Sequence, residues 1–61
     1  MNIANFTPRE YLLMRFAACR EGALHWRSLA KIFPQAHAVY MRLARSDAEL
    51  ARSYWRSANA S

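Results

Sequence analysis

The chain has 61 residues, one cysteine and a formal net charge of +5, and this length leaves room for a single small domain. The lone Cys19 excludes an internal disulfide, and no uninterrupted apolar run exceeds four residues, which is too few to cross a membrane. A chain of this size buries only about 60% of the surface that it exposes when unfolded. We therefore expect stabilisation by a partner subunit, and a homodimer is the expected form.

The positive charge is concentrated in the first three quarters of the chain. Residues 9 to 45 contain seven basic and two acidic side chains, whereas two arginines balance two acids after Ser46. Eight of the nine basic residues are arginines, whose planar guanidinium groups make forked contacts with phosphate or carboxylate. Such an excess attracts polyanions, so duplex DNA or a regulatory protein is the expected partner.

The first helix has a clear start signal in the segment FTPREY. Thr7 can be the N-cap, while Pro8 takes the first helical position and Glu10 the third. This spacing is a capping box, in which the Thr7 hydroxyl and the Glu10 carboxylate each accept a hydrogen bond from a free backbone N–H. Phe6 and Tyr11 occupy the positions of a hydrophobic staple. The pattern predicts a helix that begins at Pro8.

Two helices are predicted before residue 34. The first runs to about Glu21, where Gly22 supplies the left-handed residue that ends it, and the segment HWRSLAKIF forms the second. Pro34 ends the second helix because proline disfavours helical geometry at the residue before it. The side chains predicted to face the interior are Leu12, Phe16, Cys19, Ala23, Trp26, Leu29, Ala30 and Phe33.

A third helix is predicted over PQAHAVYMRLAR, with Pro34 as its first residue. Ser46 and Glu49 have the spacing of a second capping box, which favours a break after Arg45 and a fourth helix. No glycine or proline separates Arg45 from Ser46, so the alternative is one long helix from about residue 35 to 57. In either case the predicted inner side chains are Ala36, Val39, Tyr40, Leu43, Leu50, Ala51, Tyr54 and Ala58.

The expected fold class is all-α, since no alternating pattern indicates strands. The architecture is either a small three- to four-helix domain with a helix-turn-helix-like arrangement, or a helical hairpin with a long C-terminal helix. Residues 1–61 form one domain, in which residues 1–5 and 58–61 are predicted to fray.

Enzyme chemistry has little support in the sequence. His25 and His37 lie on different predicted helices, and neither has a second ligand at metal-binding spacing. The single glycine excludes a glycine-rich phosphate loop. We expect a chain that is not an enzyme, with no cofactor, no metal, no small-molecule substrate and no membrane association. One unpaired cysteine, expected to be a buried inert thiol, fits a cytoplasmic location.

Two segments resemble known DNA-binding domains. In SLAKIFPQAHAVYMRLAR, a small residue, Ala30, and a branched residue, Val39, resemble the packing core of a helix-turn-helix unit. The opening FTPREYLLMRFAA is similar to the start of LuxR-type response-regulator DNA-binding domains, so the resemblance covers residues 6 to 45. The interval from Ala30 to Val39 is one residue shorter than in the usual unit, and Pro34 occupies the turn where glycine is common.

The resemblance implies a small basic regulator that binds DNA through a recognition helix from about Gln35 to Arg45. Phosphate contacts would position this helix without reading the base sequence. The implied groove-facing residues are Gln35, His37, Ala38, Met41 and Arg42. The implied phosphate contacts are Arg27, Lys31 and Arg45.

An alternative function follows from the aromatic residues. Eight aromatic rings are more than three short helices can cover, and exposed aromatic side chains beside arginines are typical of protein-binding hot spots. The candidate interface residues are Tyr40, Arg52, Tyr54 and Trp55. In this interpretation the chain is a small interaction module, of the kind that phages and plasmids encode, which binds and inhibits a host protein such as a transcription factor.

Overall fold

The computed structural model describes residues 6–60, which form a hairpin of two α-helices. Helix α1 spans Pro8–Ile32 and helix α2 spans His37–Ala58, with one 3-10 turn, Pro34–Ala36, between them. The described part of the chain is therefore all-α, as predicted. It has two α-helices in the arrangement of the hairpin alternative, rather than the three or four of the other prediction.

The start of α1 confirms the prediction made from its first residues. The Glu10 N–H donates to the Thr7 hydroxyl at 3.1 Å, and the Thr7 N–H donates to the Glu10 carboxylate at 3.3 Å. Both halves of the capping box are present, and Pro8 is the first helical residue. These bonds satisfy backbone donors that have no partner within the first turn.

The prediction that Gly22 ends the first helix is wrong. Gly22 lies inside α1, and no glycine among the described residues has a positive φ. The two helices predicted before residue 34 are therefore one helix of 25 residues. The glycine has a packing role instead, because a Cβ atom at this position would lie 2.5 Å from Oδ2 of Asp47 on α2.

The predicted stop before Pro34 is confirmed, since α1 ends at Ile32. Phe33 leaves the helix with φ −118° and ψ 81°, as expected for a residue that precedes proline. The third helix was predicted to begin at Pro34, which is too early. Pro34–Ala36 is a 3-10 turn, and regular α-helix begins at His37.

The predicted break after Arg45 is also wrong, because α2 continues through Ser46 and Glu49 without interruption. A capping box requires an N-cap outside the helix, and Ser46 is helical. The alternative of one long helix is the one observed. Ala58 is the last residue of α2 and is buried, so helix extends one residue into the segment predicted to fray. Residues 1–5 and 61 lie outside the described residues.

Arg9 joins the free ends of the hairpin. Its Nε donates to the Ala58 carbonyl at 3.3 Å, and its Nη2 donates to Oδ1 of Asn59 at 3.4 Å. The start of α1 therefore lies beside the end of α2, so the two helices are antiparallel. A cation at a helix C-terminus stabilises the unpaired carbonyls there.

The interior of the hairpin consists of small side chains. Ala44, Ala51 and Ala58 recur every seventh residue on α2, and Ala23 and Ala30 do so on α1, so each set lies on one side of its helix. Small side chains let the two helices approach closely. The buried apolar residues are Cys19, Ala23, Ala30, Ala44, Ala51 and Ala58.

Several large side chains predicted to be internal are exposed. Each helix of a two-helix hairpin has only one neighbouring helix, so bulky groups beside the narrow contact stripe remain accessible. The predicted inner residues found exposed are Phe33, Val39, Leu43 and Leu50. Those found partly buried are Leu12, Phe16, Trp26, Leu29, Ala36, Tyr40 and Tyr54.

Candidate binding groove

A groove runs along one side of the hairpin, between α1 and α2. Three neighbouring pockets form it, and shared lining residues connect them: Arg27 and Ala48 line both of the wider pockets, and Arg52 continues into the third. We call this concave surface the arginine groove. The wider pockets enclose about 350 and 330 Å³.

The floor of the arginine groove is made of alanines. Ala23 on α1 and Ala44, Ala48 and Ala51 on α2 line the pockets. Each of these four side chains is a single methyl group, so the floor of the groove lies close to the helix backbones. The groove is therefore a consequence of the same small residues that allow the two helices to pack.

Arginines dominate the lining of the groove. The lining contains one acidic residue, Glu49. Like charges along low-dielectric walls reinforce one another and attract anions. The five lining arginines, all of them exposed, are Arg20, Arg27, Arg45, Arg52 and Arg56.

Helical periodicity explains why these arginines meet. Arg20 and Arg27 are seven residues apart on α1, and Arg45 and Arg52 are seven apart on α2. Residues at this spacing lie on the same side of a helix, and Arg56 follows one turn after Arg52. The antiparallel packing then places the two sets on opposite walls of one groove.

One end of the groove carries an aromatic pair. Phe16 and Trp55 have ring centroids 5.1 Å apart at an interplanar angle of 46°, within the range of favourable tilted aromatic contacts. Trp55 is 49% exposed and lines this end with Arg52 and Arg56. Leu24, which is 54% exposed, lines the middle. The groove therefore offers apolar surface as well as positive charge.

The other side of the hairpin has a different chemistry. The Trp26 indole N–H donates to Oδ2 of Asp47 at 3.1 Å, and the Trp26 ring stacks on Tyr40 with centroids 5.9 Å apart. Tyr40 also contacts Phe33 across the turn, at 6.3 Å between ring centroids. These contacts join α1 to α2 through aromatic rings rather than through arginines.

Arg15 and Tyr54 form a further contact between the helices. The guanidinium carbon lies 5.6 Å from the centroid of the Tyr54 ring, which is within cation–π distance. A hydrogen bond with Tyr54 and the electrostatic influence of that phenol raise the pKa of Arg15 above its usual value. This arginine is thus held by a tyrosine of the other helix.

The residues proposed to contact DNA differ in their position relative to the arginine groove. Arg27, Met41 and Arg45 line the arginine groove. His37 lies at the turn, with its Nδ1 3.4 Å from the Ala30 carbonyl oxygen. The remaining candidates are exposed and line none of the three pockets: Lys31, Gln35, Ala38 and Arg42.

The alternative interface residues divide between the two sides of the hairpin. Arg52 and Trp55 line the arginine groove, whereas Tyr40 and Tyr54 contact Trp26 and Arg15 respectively. The sequence did not identify nine of the groove residues as candidates for a site. The seven-residue spacing of the arginines, together with that of the alanines, is the signal that could have found most of them. The missed residues are Phe16, Arg20, Ala23, Leu24, Ala44, Ala48, Glu49, Ala51 and Arg56.

Within residues 6–60, no three side chains of the metal-ligating types come together. Neither α1 nor α2 is long and apolar enough to cross a membrane. Comparison of the chain with protein-family models, with curated proteins and with solved structures found no match.

Proposed function

We propose that this chain is a protein-interaction module whose arginine groove binds an acidic amphipathic helix of a partner protein. The observation that carries the proposal is the combination of five arginines, an alanine floor and an exposed tryptophan in one groove. Binding of an amphipathic helix in an apolar groove is a recurring mode of recognition.

The shape of the groove suits a third helix. Two antiparallel helices leave a furrow between them, and helices pack with their axes about 8–10 Å apart when the side chains at the contact allow it. Ala44, Ala48 and Ala51 on the floor present little bulk to an incoming helix. A bound helix would convert the hairpin into a three-helix arrangement.

The chemistry of the groove selects an acidic helix with one apolar side. Arginine binds carboxylates in forked geometry, so glutamates of the partner would pair with Arg27 and Arg52 on opposite walls. Apolar side chains of the same helix would cover Leu24 and Trp55, since tryptophan and arginine are the residues most enriched in interface hot spots. By occupying a helix that the partner needs elsewhere, such as one in a transcription factor, the module would inhibit that protein.

Charge reversal in the groove tests this function. The probe is a fluorescently labelled helical peptide whose leucines recur at three- and four-residue intervals, with glutamates between them. We expect Arg52→Glu to weaken binding by at least about tenfold, because like charges placed opposite each other cost several kcal/mol. Arg42→Glu is the matched control, since it makes the same charge change on α2 outside the groove. Fluorescence anisotropy measures both affinities.

Two outcomes would contradict the proposal. Equal weakening by Arg42→Glu and Arg52→Glu would mean that only net charge matters. Equal binding of a peptide with the same composition in scrambled order would mean that the amphipathic helix is not recognised.

Duplex DNA is the second candidate ligand, favoured by the placement of Arg27 and Arg45 on opposite walls of a strongly basic surface. The affinity of the chain for duplex DNA should fall steeply as the salt concentration rises, because binding releases counterions from the phosphates. If α2 contains a recognition helix, Arg42→Ala should reduce the discrimination between base sequences. Lys31→Ala should instead weaken binding to all sequences about equally. Tight duplex binding at low salt with no peptide binding would favour this candidate.

A further inference from the structure

The side of the hairpin opposite the arginine groove presents an apolar stripe. On α2, Leu43 and Leu50 lie one turn on either side of Asp47, so helical periodicity places them on the side where Asp47 contacts α1. Tyr40 and Tyr54 continue the stripe in both directions at intervals of three and four residues. We call this surface, together with the Trp26 ring that stacks on Tyr40, the aromatic face.

We infer that a second copy of the chain covers the aromatic face, so that two hairpins form a four-helix dimer. This inference does not depend on the ligand of the arginine groove. The spacing of the α2 residues in this stripe is that of a coiled-coil seam. Tyr40, Asp47 and Tyr54 contact α1 within the hairpin, whereas Leu43 and Leu50 on the outer edge of the stripe are exposed. Leu50 is 47% exposed in the single hairpin, although its position in the stripe is one that such seams bury.

The exposed apolar side chains on this side agree with a missing partner. Leu43 and Leu50 on α2 are 39% and 47% exposed. Phe33, which contacts Tyr40, is 47% exposed. Removal of apolar surface from water is the main favourable term in most protein association, so a second copy that covers these side chains would stabilise the pair.

Charge favours a second copy over an anionic occupant. The aromatic face contains one carboxylate, Asp47, and borders one arginine, Arg15, which is held by Tyr54. The Trp26 N–H satisfies one Asp47 oxygen within the hairpin, so packing against a partner would not leave that carboxylate without a donor. The groove arginines lie on the opposite side, and two copies can therefore meet without bringing their main positive charges together.

A dimer built in this way leaves both arginine grooves on its outer surfaces. Each copy also gains an interior. The buried residues within 6–60 include nothing larger than Cys19, whereas the dimer would bury leucine and tyrosine side chains. The dimer would present two equal grooves, and a partner with two acidic helices could bind both with increased overall affinity.

Sedimentation equilibrium of the full chain tests the inference, with Leu50→Glu as the disrupting variant. Leu24→Glu is the matched control, because it makes the same substitution at a leucine of similar exposure in the groove. We expect the wild-type chain and Leu24→Glu to be dimers at micromolar concentration. We expect Leu50→Glu to raise the dimer dissociation constant at least about tenfold.

A second measurement covers the case in which Leu50→Glu does not fold. The wild-type unfolding temperature should rise with protein concentration, as it must when association stabilises the folded state, and the milder Leu43→Ser should reduce that dependence. A wild-type chain that remains monomeric at about 200 µM, or a dimer broken by Leu24→Glu but not by Leu50→Glu, would overturn the inference. A monomer that binds neutral phosphatidylcholine vesicles would assign the face to a lipid surface instead, and would also overturn it.

Discussion

Gly22 and Asp47 lie opposite each other at a close contact between α1 and α2. Glycine in a helix interior costs about 0.5–1 kcal/mol relative to alanine, so its presence within α1 needs a compensating reason. The position of Oδ2, 2.5 Å from where a Cβ atom would lie, supplies that reason. The same oxygen accepts the hydrogen bond from the Trp26 indole N–H, so Gly22, Trp26 and Asp47 meet at one point of the contact.

We expect Gly22→Ala to lower the free energy of unfolding by about 1 kcal/mol, although replacing a glycine inside a helix with alanine usually raises it. The new methyl group would displace the Asp47 carboxylate and break its bond with Trp26, and a hydrogen bond to a charged group contributes about 1.5–3 kcal/mol. In an Asp47→Ala background the obstacle is absent, and Gly22→Ala should then stabilise by about 0.5–1 kcal/mol. Urea denaturation of the four proteins of this double-mutant cycle measures the difference. The same gain in both backgrounds would show that Asp47 does not constrain Gly22.

The buried part of the contact between α1 and α2 is made of side chains no larger than cysteine. Alanines at seven-residue intervals form a stripe on α2, and Ala44 and Ala51 of this stripe also line the groove floor. The same alanines therefore determine how closely the helices pack and how deep the groove is. A larger residue in the stripe would separate the helices and fill the groove. Helix pairs of this kind tolerate little change in volume at the contact.

We expect Ala44→Leu to destabilise the hairpin by about 1–3 kcal/mol, because inserting methylene groups into a packed contact forces neighbouring atoms apart. Ala44 is 1% exposed. Ala38→Leu is the matched control, since Ala38 lies on the same helix and is exposed, and its stability should change by less than about 0.5 kcal/mol. Thermal unfolding followed by circular dichroism compares the two. Equal effects, or no loss in Ala44→Leu, would mean that the helices do not pack closely along this stripe.

The molecule as a whole has its positive charge gathered on one side. With a formal net charge of +5 and five arginines along one groove, the folded state brings like charges closer than the unfolded chain does. Such self-repulsion opposes the compact state. Under the proposed function, a carboxylate that enters the groove would relieve this repulsion.

We expect sodium chloride to raise the unfolding temperature by a few degrees between about 0.02 and 0.2 M, because salt over this range screens charges about 10 Å apart. Arg27→Gln should reduce that salt dependence, since Arg27 lines both wider pockets among the other arginines. Arg42→Gln removes the same charge outside the groove and should reduce it less. An unfolding temperature that does not change with salt in the wild-type chain would contradict this electrostatic description.

The all-α class, the start of α1 and its end before Pro34 could be read directly from the amino-acid order. These features depend on hydrogen bonds and steric contacts among residues a few positions apart, as in the capping box of Thr7 and Glu10. Neighbouring residues alone decide whether such bonds can form. The sequence could not decide between a break and a continuous helix at Gly22 or Ser46, because glycine and a capping-box spacing also occur inside helices.

Contacts between the helices determine that α1 continues through Gly22 and that α2 continues through Ser46. They also determine which residues line the groove. Asp47 on α2 accounts for the glycine within α1, and the alanine stripe holds α2 against α1 on both sides of Ser46. Which arginines share a surface depends on the rotation and register of each helix. The rotation and register are set by the positions at which small side chains on both helices permit close approach. Arg27 therefore faces Arg45 and Arg52 across the groove only once the hairpin has formed.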